Sequence, residues 1–239
     1  MFPLHLTGFR KPVRCKGNIK KGIAKNSQNL STQQNMQNPI PLTFGNYFHI
    51  YNHGVGNRNL FCEPANYEYF LDLYDQYISP LADTYAWVLM PNHFHILVRI
   101  KERKEMMDEL HLTGFENLSG VIKPPHQYFS NLFNAYTKAL NIRLGSHGTL
   151  FERPFKRKLI DSDDYLKQII LYIHNNPVHH GFCSHPIEYS WTSYLTCISI
   201  KPSKLKRDVV IGWFDDKANF KSRHNEKIDV DMIEKWLEL

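Results

Sequence analysis

Apolar positions along this chain recur with two different periods, and the order in which those periods alternate outlines a fold. From 44 to 53, Tyr47, His49 and Tyr51 alternate with Phe48 and Ile50, the two-residue period of a strand. Over 66–78, Tyr67, Phe70, Leu71, Tyr74 and Ile78 fall on one face at helical spacing. Two strand-like runs follow, 84–90 (TYAWVLM) and 93–100 (HFHILVRI), joined by Pro91-Asn92 as an antiparallel hairpin. Residues 101–125 read as a long charged connection ending in Pro124-Pro125. A second helix over 126–143 carries a stripe of Phe129, Leu132, Phe133, Tyr136 and Leu140. A strand-like run at 149–160 leads to a third helix, capped by Asp161 or Ser162 and expected to stop before Pro177. This order predicts an α+β, ferredoxin-like sandwich: a central antiparallel sheet with helices packed on it.

The third helix carries more than a packing stripe. Leu166, Ile169, Ile170 and Ile173 form its apolar face, while Tyr165, Tyr172 and Asn176 lie along one edge, Tyr172 and Asn176 being i,i+4 neighbours. Alternation along 93–100 places His93 and His95 together on one face of the sheet, with Phe94 on the other. Two imidazoles on one rigid face suit a shared metal ion. An H-x-H pair also occurs simply as two surface or turn histidines. Here apolar runs enter and leave the pair, so both imidazoles belong to a central strand, where unpartnered polar groups are costly. If the third helix packs beside that strand, Tyr172 points a hydroxyl at the metal and Asn176 offers an oxygen ligand. The competing reading of Tyr172 is a border tyrosine that buries its ring and wets its hydroxyl.

Charge and composition narrow the function classes. Lysine and arginine exceed aspartate and glutamate by 29 − 23 = 6, a tilt towards a polyanionic partner. The four cysteines form no C-x-x-C pair, which argues against a zinc finger or a disulfide framework and fits a reducing cytoplasm. No stretch reaches the roughly 20 apolar residues of a membrane span. Residues 1–43 are expected to be a basic, polar, poorly ordered arm, 44–195 the main domain and 196–239 a C-terminal extension. The hexapeptide LHLTGF occurs at 4–9 and again at 110–115, too short for a repeat fold.

Several of these runs resemble a known family. Met90-Pro91-Asn92-His93-Phe94-His95-Ile96-Leu97-Val98 resembles the His-hydrophobic-His motif of HUH single-strand DNA endonucleases. Tyr172-Ile173-His174-Asn175-Asn176-Pro177-Val178, followed by Gly181, is similar to the signature of REP-associated tyrosine transposases. Further similar pieces are Gly45–Ile50, Leu150–Phe155 and Trp191–Tyr194, so the resemblance spans roughly 44–195. It implies a metal-dependent single-stranded DNA endonuclease and strand transferase acting at hairpin DNA, as a monomer or homodimer. It implies Tyr172 as the nucleophile, through a 5′-phosphotyrosine, and His93, His95 and Asn176 as ligands of Mg2+ or Mn2+. Gln168 stands four residues before Tyr172 and Asn176 four after, so the single-tyrosine subclass fits. Arg153, Lys156, Arg157 and Lys158 are then candidates to meet phosphates, against the alternative of an edge strand guarded by positive charge. His49 either faces the same cleft or is a packed histidine. Two other functions remain open: a non-cleaving DNA-binding protein of this fold, and a cupin-like or other His-x-His metalloenzyme acting on a small molecule.

Overall fold

The computed structural model describes residues 39–113 and 123–237. The copy of LHLTGF at 4–9, the end of the copy at 110–115 and the expected arm before residue 39 lie outside them. Strands β1 (Tyr47–His53), β2 (Ala82–Leu89), β3 (His93–Ile100) and β4 (Lys156–Ile160) form one antiparallel sheet in the order β2-β3-β1-β4. The chain reaches β2 from β1 through helix α1 (Pro64–Ile78), and β4 from β3 through α2 (Arg103–Thr113) and α3 (Pro125–Leu144). That is the ferredoxin-like order, and a cupin-like barrel is excluded.

Each face of the sheet has its own cover. Phe94 points to the α1/α3 side, where its ring meets Phe70 at 5.5 Å and Phe133 at 5.6 Å. On the opposite side, α4 (Asp163–His179) packs across β2 and β3. Its stripe of Leu166, Ile169, Ile170 and Ile173 is buried, as is the whole expected stripe of α3. At about 25 cal/mol per Å2 of apolar surface, each such side chain contributes on the order of 1.5–3 kcal/mol. Ser162 is the N-cap of α4, its hydroxyl accepting from the Tyr165 amide at 3.3 Å, with Asp163 and Asp164 in the first turn.

Three local expectations are corrected. Residues 103–113 form a helix instead of continuing a charged connection. Among its described side chains only Met106 is fully buried, and the surrounding charges obscured the short period it belongs to. The Glu105 carboxylate accepts from the Glu102 amide at 2.6 Å, one half of a capping box. The run at 149–160 pairs as a ladder only from Lys156, because Pro154 has no amide hydrogen to give a ladder. Helix α4 does not stop before Pro177 but runs through it to His179. Proline there forfeits a single hydrogen bond, and the following amides are satisfied by His180 donating to the Asn176 carbonyl and Phe182 to that of Pro177.

The C-terminal segment is built onto the same core. Helices α5 (Tyr194–Ile198), α6 (Arg207–Trp213), α7 (Lys217–His224) and α8 (Val230–Leu237) bury Tyr194, Val210, Phe214, Phe220, Ile233 and Leu237 in it. A buried relay ties α7 to α4. His224 donates from Nδ1 to the Phe220 carbonyl at 2.6 Å, so its Nε2 is left to accept from His174 Nδ1 at 2.8 Å. His174 Nε2 then accepts from the Ser193 hydroxyl at 2.7 Å, and Ser193 in turn accepts from the Trp87 amide on β2. Every proton in this chain is assigned with both imidazoles neutral.

Burial lowers the pKa of His224 from 6.5 to about 4 and holds His174 well below its ordinary value. The unfolded chain therefore takes up protons below pH 6.5 that the folded chain refuses. Stability is complete above pH 6.5 and falls towards pH 4, by about 1.4 kcal/mol per pH unit for each such histidine. Urea unfolding at pH 7.5 and 5.5 should give a lower midpoint at the acid value, and equal midpoints would contradict the relay. His224→Leu should cost a further ~1–3 kcal/mol at pH 7.5, because it leaves the His174 Nδ1–H buried without an acceptor.

Candidate active site

The β1–β3 register sets Tyr51 opposite His95 and His53 opposite His93. The α4-facing side of the sheet is thus a layer of rings. His49 stacks on His95 with centroids 5.0 Å apart, and His53 lies 5.1 Å from His93. Tyr172 on α4 meets His95 edge-on at 5.3 Å, so the helix does pack beside the histidine strand. One turn on, the Asn176 amide oxygen stands 3.0 Å from His93 Nε2. His180, a turn further, brings its ring to 5.1 Å from His93.

The protons on these rings can be placed. Asn92 donates its amide hydrogen to Asn57 Oδ1, so Asn92 Oδ1 faces His93 Nδ1 at 2.8 Å as an acceptor. His93 therefore carries its proton on Nδ1, burial having lowered its pKa to about 3. Its Nε2 then presents a lone pair to the Asn176 side-chain amide 3.0 Å away, an amide whose nitrogen has no other hydrogen bond among the described residues. His95 Nδ1 meets His49 Nε2 at 3.0 Å. A donor on His95 Nδ1 leaves its Nε2 with a lone pair, and His95 lines the cleft. Two imidazole nitrogens and an amide oxygen without protons between them fit a divalent cation. Among the described residues no group of three His, Cys, Asp or Glu side chains is placed to hold a metal.

His49 is the residue whose role alternation left open. It is fully buried behind His95 and kept neutral, burial lowering its pKa to about 3. A cation on His95 Nε2 requires the proton on His95 Nδ1, and His49 Nε2 is then its acceptor and sets the tilt of that ring. Its own Nδ1 is buried without a partner. His53 and His180 were not singled out from sequence, although the same alternation and the i,i+4 step from Asn176 place them beside His93.

Tyr172 is buried, and desolvation raises its pKa above the ordinary value for tyrosine. The carboxylate of Glu234 on α8 and Tyr51 raise it further, while the Asn176 side chain pulls it down. The cleft that Tyr172, His93 and His95 line encloses about 650 Å3, walled also by Lys156, His180 and Glu234. Helix α8 closes one side: the Tyr51 hydroxyl donates to the Leu237 carbonyl at 2.8 Å and Trp236 stacks on Tyr165 at 4.4 Å.

The basic residues before α4 divide between two faces. Lys156 and Lys158 pair across from Tyr51 and His49 and so face the ring layer, with Lys156 Nζ 5.9 Å from the Tyr51 ring and Lys158 Nζ 5.4 Å from that of Trp236. Arg157 points to the α3 side, above the Phe155 ring at 4.8 Å. Arg153, just before β4, donates to the Asn134 amide oxygen at 2.9 Å on that same side. Among the described residues, no helix is long and apolar enough to cross a membrane.

No protein-family model and no curated protein matches the sequence. Among solved structures, the chain is similar to a REP-associated tyrosine transposase bound to a REP hairpin. The TM-score is 0.53 at 14% sequence identity, over 70% of this chain and 88% of that one. The chain has that transposase's fold. At this identity the likeness is one of architecture, and the chemistry has to be argued from the side chains.

His49→Leu removes the acceptor behind His95 and should weaken Mn2+ binding about 10–100-fold. Electron paramagnetic resonance of free Mn2+ checks it, alongside a melt establishing that the variant is folded. A folded variant with unchanged affinity would rule out the tautomer argument.

Proposed function

We propose that this protein cuts and rejoins single-stranded DNA at hairpin-forming sequences, with Tyr172 as the nucleophile. The observation that carries the reading is the convergence, within one chain, of the Tyr172 ring, His95, His93 Nε2 and Asn176 Oδ1. The similar fold of a transposase bound to a REP hairpin supports the choice of a DNA hairpin as substrate.

His93, His95 and Asn176 would hold the divalent metal, Mg2+ or Mn2+. When bound, it draws charge from the non-bridging phosphate oxygens and favours ionisation of the neighbouring phenol. Lys156 on the cleft wall attracts and positions the backbone phosphates. The Tyr172 phenolate oxygen attacks the phosphorus, the bond to the 3′-oxygen breaks, and that oxygen leaves as a 3′-hydroxyl after taking up a proton. The product is a 5′-phosphotyrosine. A second 3′-hydroxyl can attack it, expel the phenolate and reseal the strand without an external energy source. Burial lowers the pKa of both His53 and His180. They are therefore neutral at pH 7 and able to accept the proton the phenol gives up. Since Tyr172 lies beside the histidines of its own chain, the reaction needs no second copy to supply it, which favours a monomer over a dimer sharing helices.

One observation favours a second reading, DNA binding without cutting. Tyr172 is buried and its ionisation is opposed by Glu234. A single assay separates the two: labelled hairpin DNA with a single-stranded flank is incubated with Mn2+ or Mg2+, then denatured. A covalent adduct should form, vanish in Tyr172→Phe and disappear on chelation. An adduct that persists in Tyr172→Phe would overturn the assignment of the nucleophile. Retained binding with no adduct under any condition would favour the second reading. Glu234→Gln removes a charge that opposes ionisation, so adduct formation at pH 8 should speed up several-fold. An unchanged rate would remove Glu234 from the account.

A further inference from the structure

A second cleft lies on the other face of the sheet, between α3 and the segment from Leu150 to Arg157. It encloses about 490 Å3, within the roughly 300–1,000 Å3 of small-ligand clefts. Its floor is apolar, formed by Phe133, Phe151 and Phe155. Its charge is unusual. The Arg157 guanidinium is half-buried, and among the described residues its Nε is enclosed and unpartnered and its one hydrogen bond runs from Nη2 to the Pro39 carbonyl at 3.4 Å. No carboxylate pairs with it among the described residues, and burial lowers its pKa. The Phe155 ring beneath it and one long hydrogen bond leave much of the guanidinium's donor capacity open to an anion.

The groups around that arginine suit one class of anion. Arg153 at the rim is steered by its bond to Asn134 Oδ1, which leaves the Asn134 amide hydrogens available to a ligand. Glu152, the acidic residue in the lining, also acts on His53 at the catalytic cleft, and its carboxylate can accept from a base N–H. Two guanidinium groups, an amide, a carboxylate and an aromatic floor correspond to the parts of a nucleotide: phosphate, base edge and base face. Connectivity gives the direction. Lys156 and Arg157 are consecutive on β4, the open edge of the sheet, so they stand on its two faces. A single strand leaving the catalytic cleft past Lys156 meets Arg157 on rounding that edge.

We infer that this cleft is a second DNA site, taking one unpaired nucleotide of the single strand that flanks the scissile phosphate, with Arg157 and Arg153 on its phosphate. The direction of the strand rests on the function proposed above. The ability to hold a nucleotide does not.

The test uses the full-length protein in EDTA and fluorescein-labelled pentathymidylate, read by fluorescence anisotropy. Arg157→Gln and Asn134→Ala should each weaken binding about tenfold. Asn134 is exposed on α3, so the second variant guards against a folding defect at Arg157. Unchanged binding in both variants, no binding by the wild type, or equal displacement by the same concentration of inorganic phosphate would each overturn the inference, the last by reducing the cleft to an anion site. The hairpin adduct assay on the wild type, run in parallel, separates the two claims. An adduct without Arg157-dependent pentathymidylate binding sinks this site and leaves the proposed function standing. Arg157-dependent binding with no adduct on any hairpin does the reverse.

Discussion

The pairing register of β1 with β3 is the constraint on which the candidate site depends. With Tyr51 opposite His95 and His53 opposite His93, side-chain alternation delivers His49, Tyr51, His53, His93 and His95 to a single face. A slip of one residue would send the β1 rings to the α1/α3 side and bring Phe48 and Ile50 against α4. The register is held because both faces are covered, one by Phe70 and Phe133 packing on Phe94, the other by the stripe of α4. The aromatic core on the far side of the sheet therefore does as much to place the histidines as the histidines' own contacts.

Covering that face desolvates the rings, and desolvation decides their chemistry. His93 and His95 have lowered pKa values, as does His49 behind them, so the pair would meet a cation as neutral donors of lone pairs with no proton to displace first. Tyr172 experiences the same environment with the opposite consequence, since burial opposes the anionic form a nucleophile needs. A cation held by the neutral imidazoles is the one addition that would reverse this for the phenol while leaving the imidazoles as they are. The two effects of burial thus become complementary only around a positive charge.

What was legible in the sequence followed from periodicity. Alternation over 93–100 and the stripe of α4 gave the elements their faces, and the wheel put Tyr172 and Asn176 on the edge that meets His95 and His93. Alternation could also have divided the basic residues, since Lys156 and Arg157 as neighbours on a strand must face opposite ways; treating the whole 149–160 run as one patch concealed it. Other features had no local signal. The depth of His49 depends on what α4 covers, and the His174–His224 contact joins positions 50 residues apart. The helix at 103–113 carries Met106, Met107 and Leu110 at helical spacing, but the charged residues between and before them read as a connection.

The C-terminal segment cannot be thought of apart from the site. Residues 205–237 contribute Leu205, Val210, Phe214, Phe220, Ile233 and Leu237 to the one core. They also supply the Leu237 carbonyl to Tyr51, the Trp236 ring beneath Lys158 and the Glu234 carboxylate near Tyr172. The same apolar contacts that stabilise the fold through α8 therefore fix an opposing charge beside the phenol. Helix α7 reaches the opposite side of α4 through His224 and His174, two residues from Tyr172. Stability and reactivity are consequently linked through α4: substitutions that loosen α8 or α7 change how Tyr172 is solvated and oriented without touching it. The stripe, the relay to α7 and α8 are the three contacts that set α4 on the sheet with Tyr172 and Asn176 over the histidine pair of their own chain.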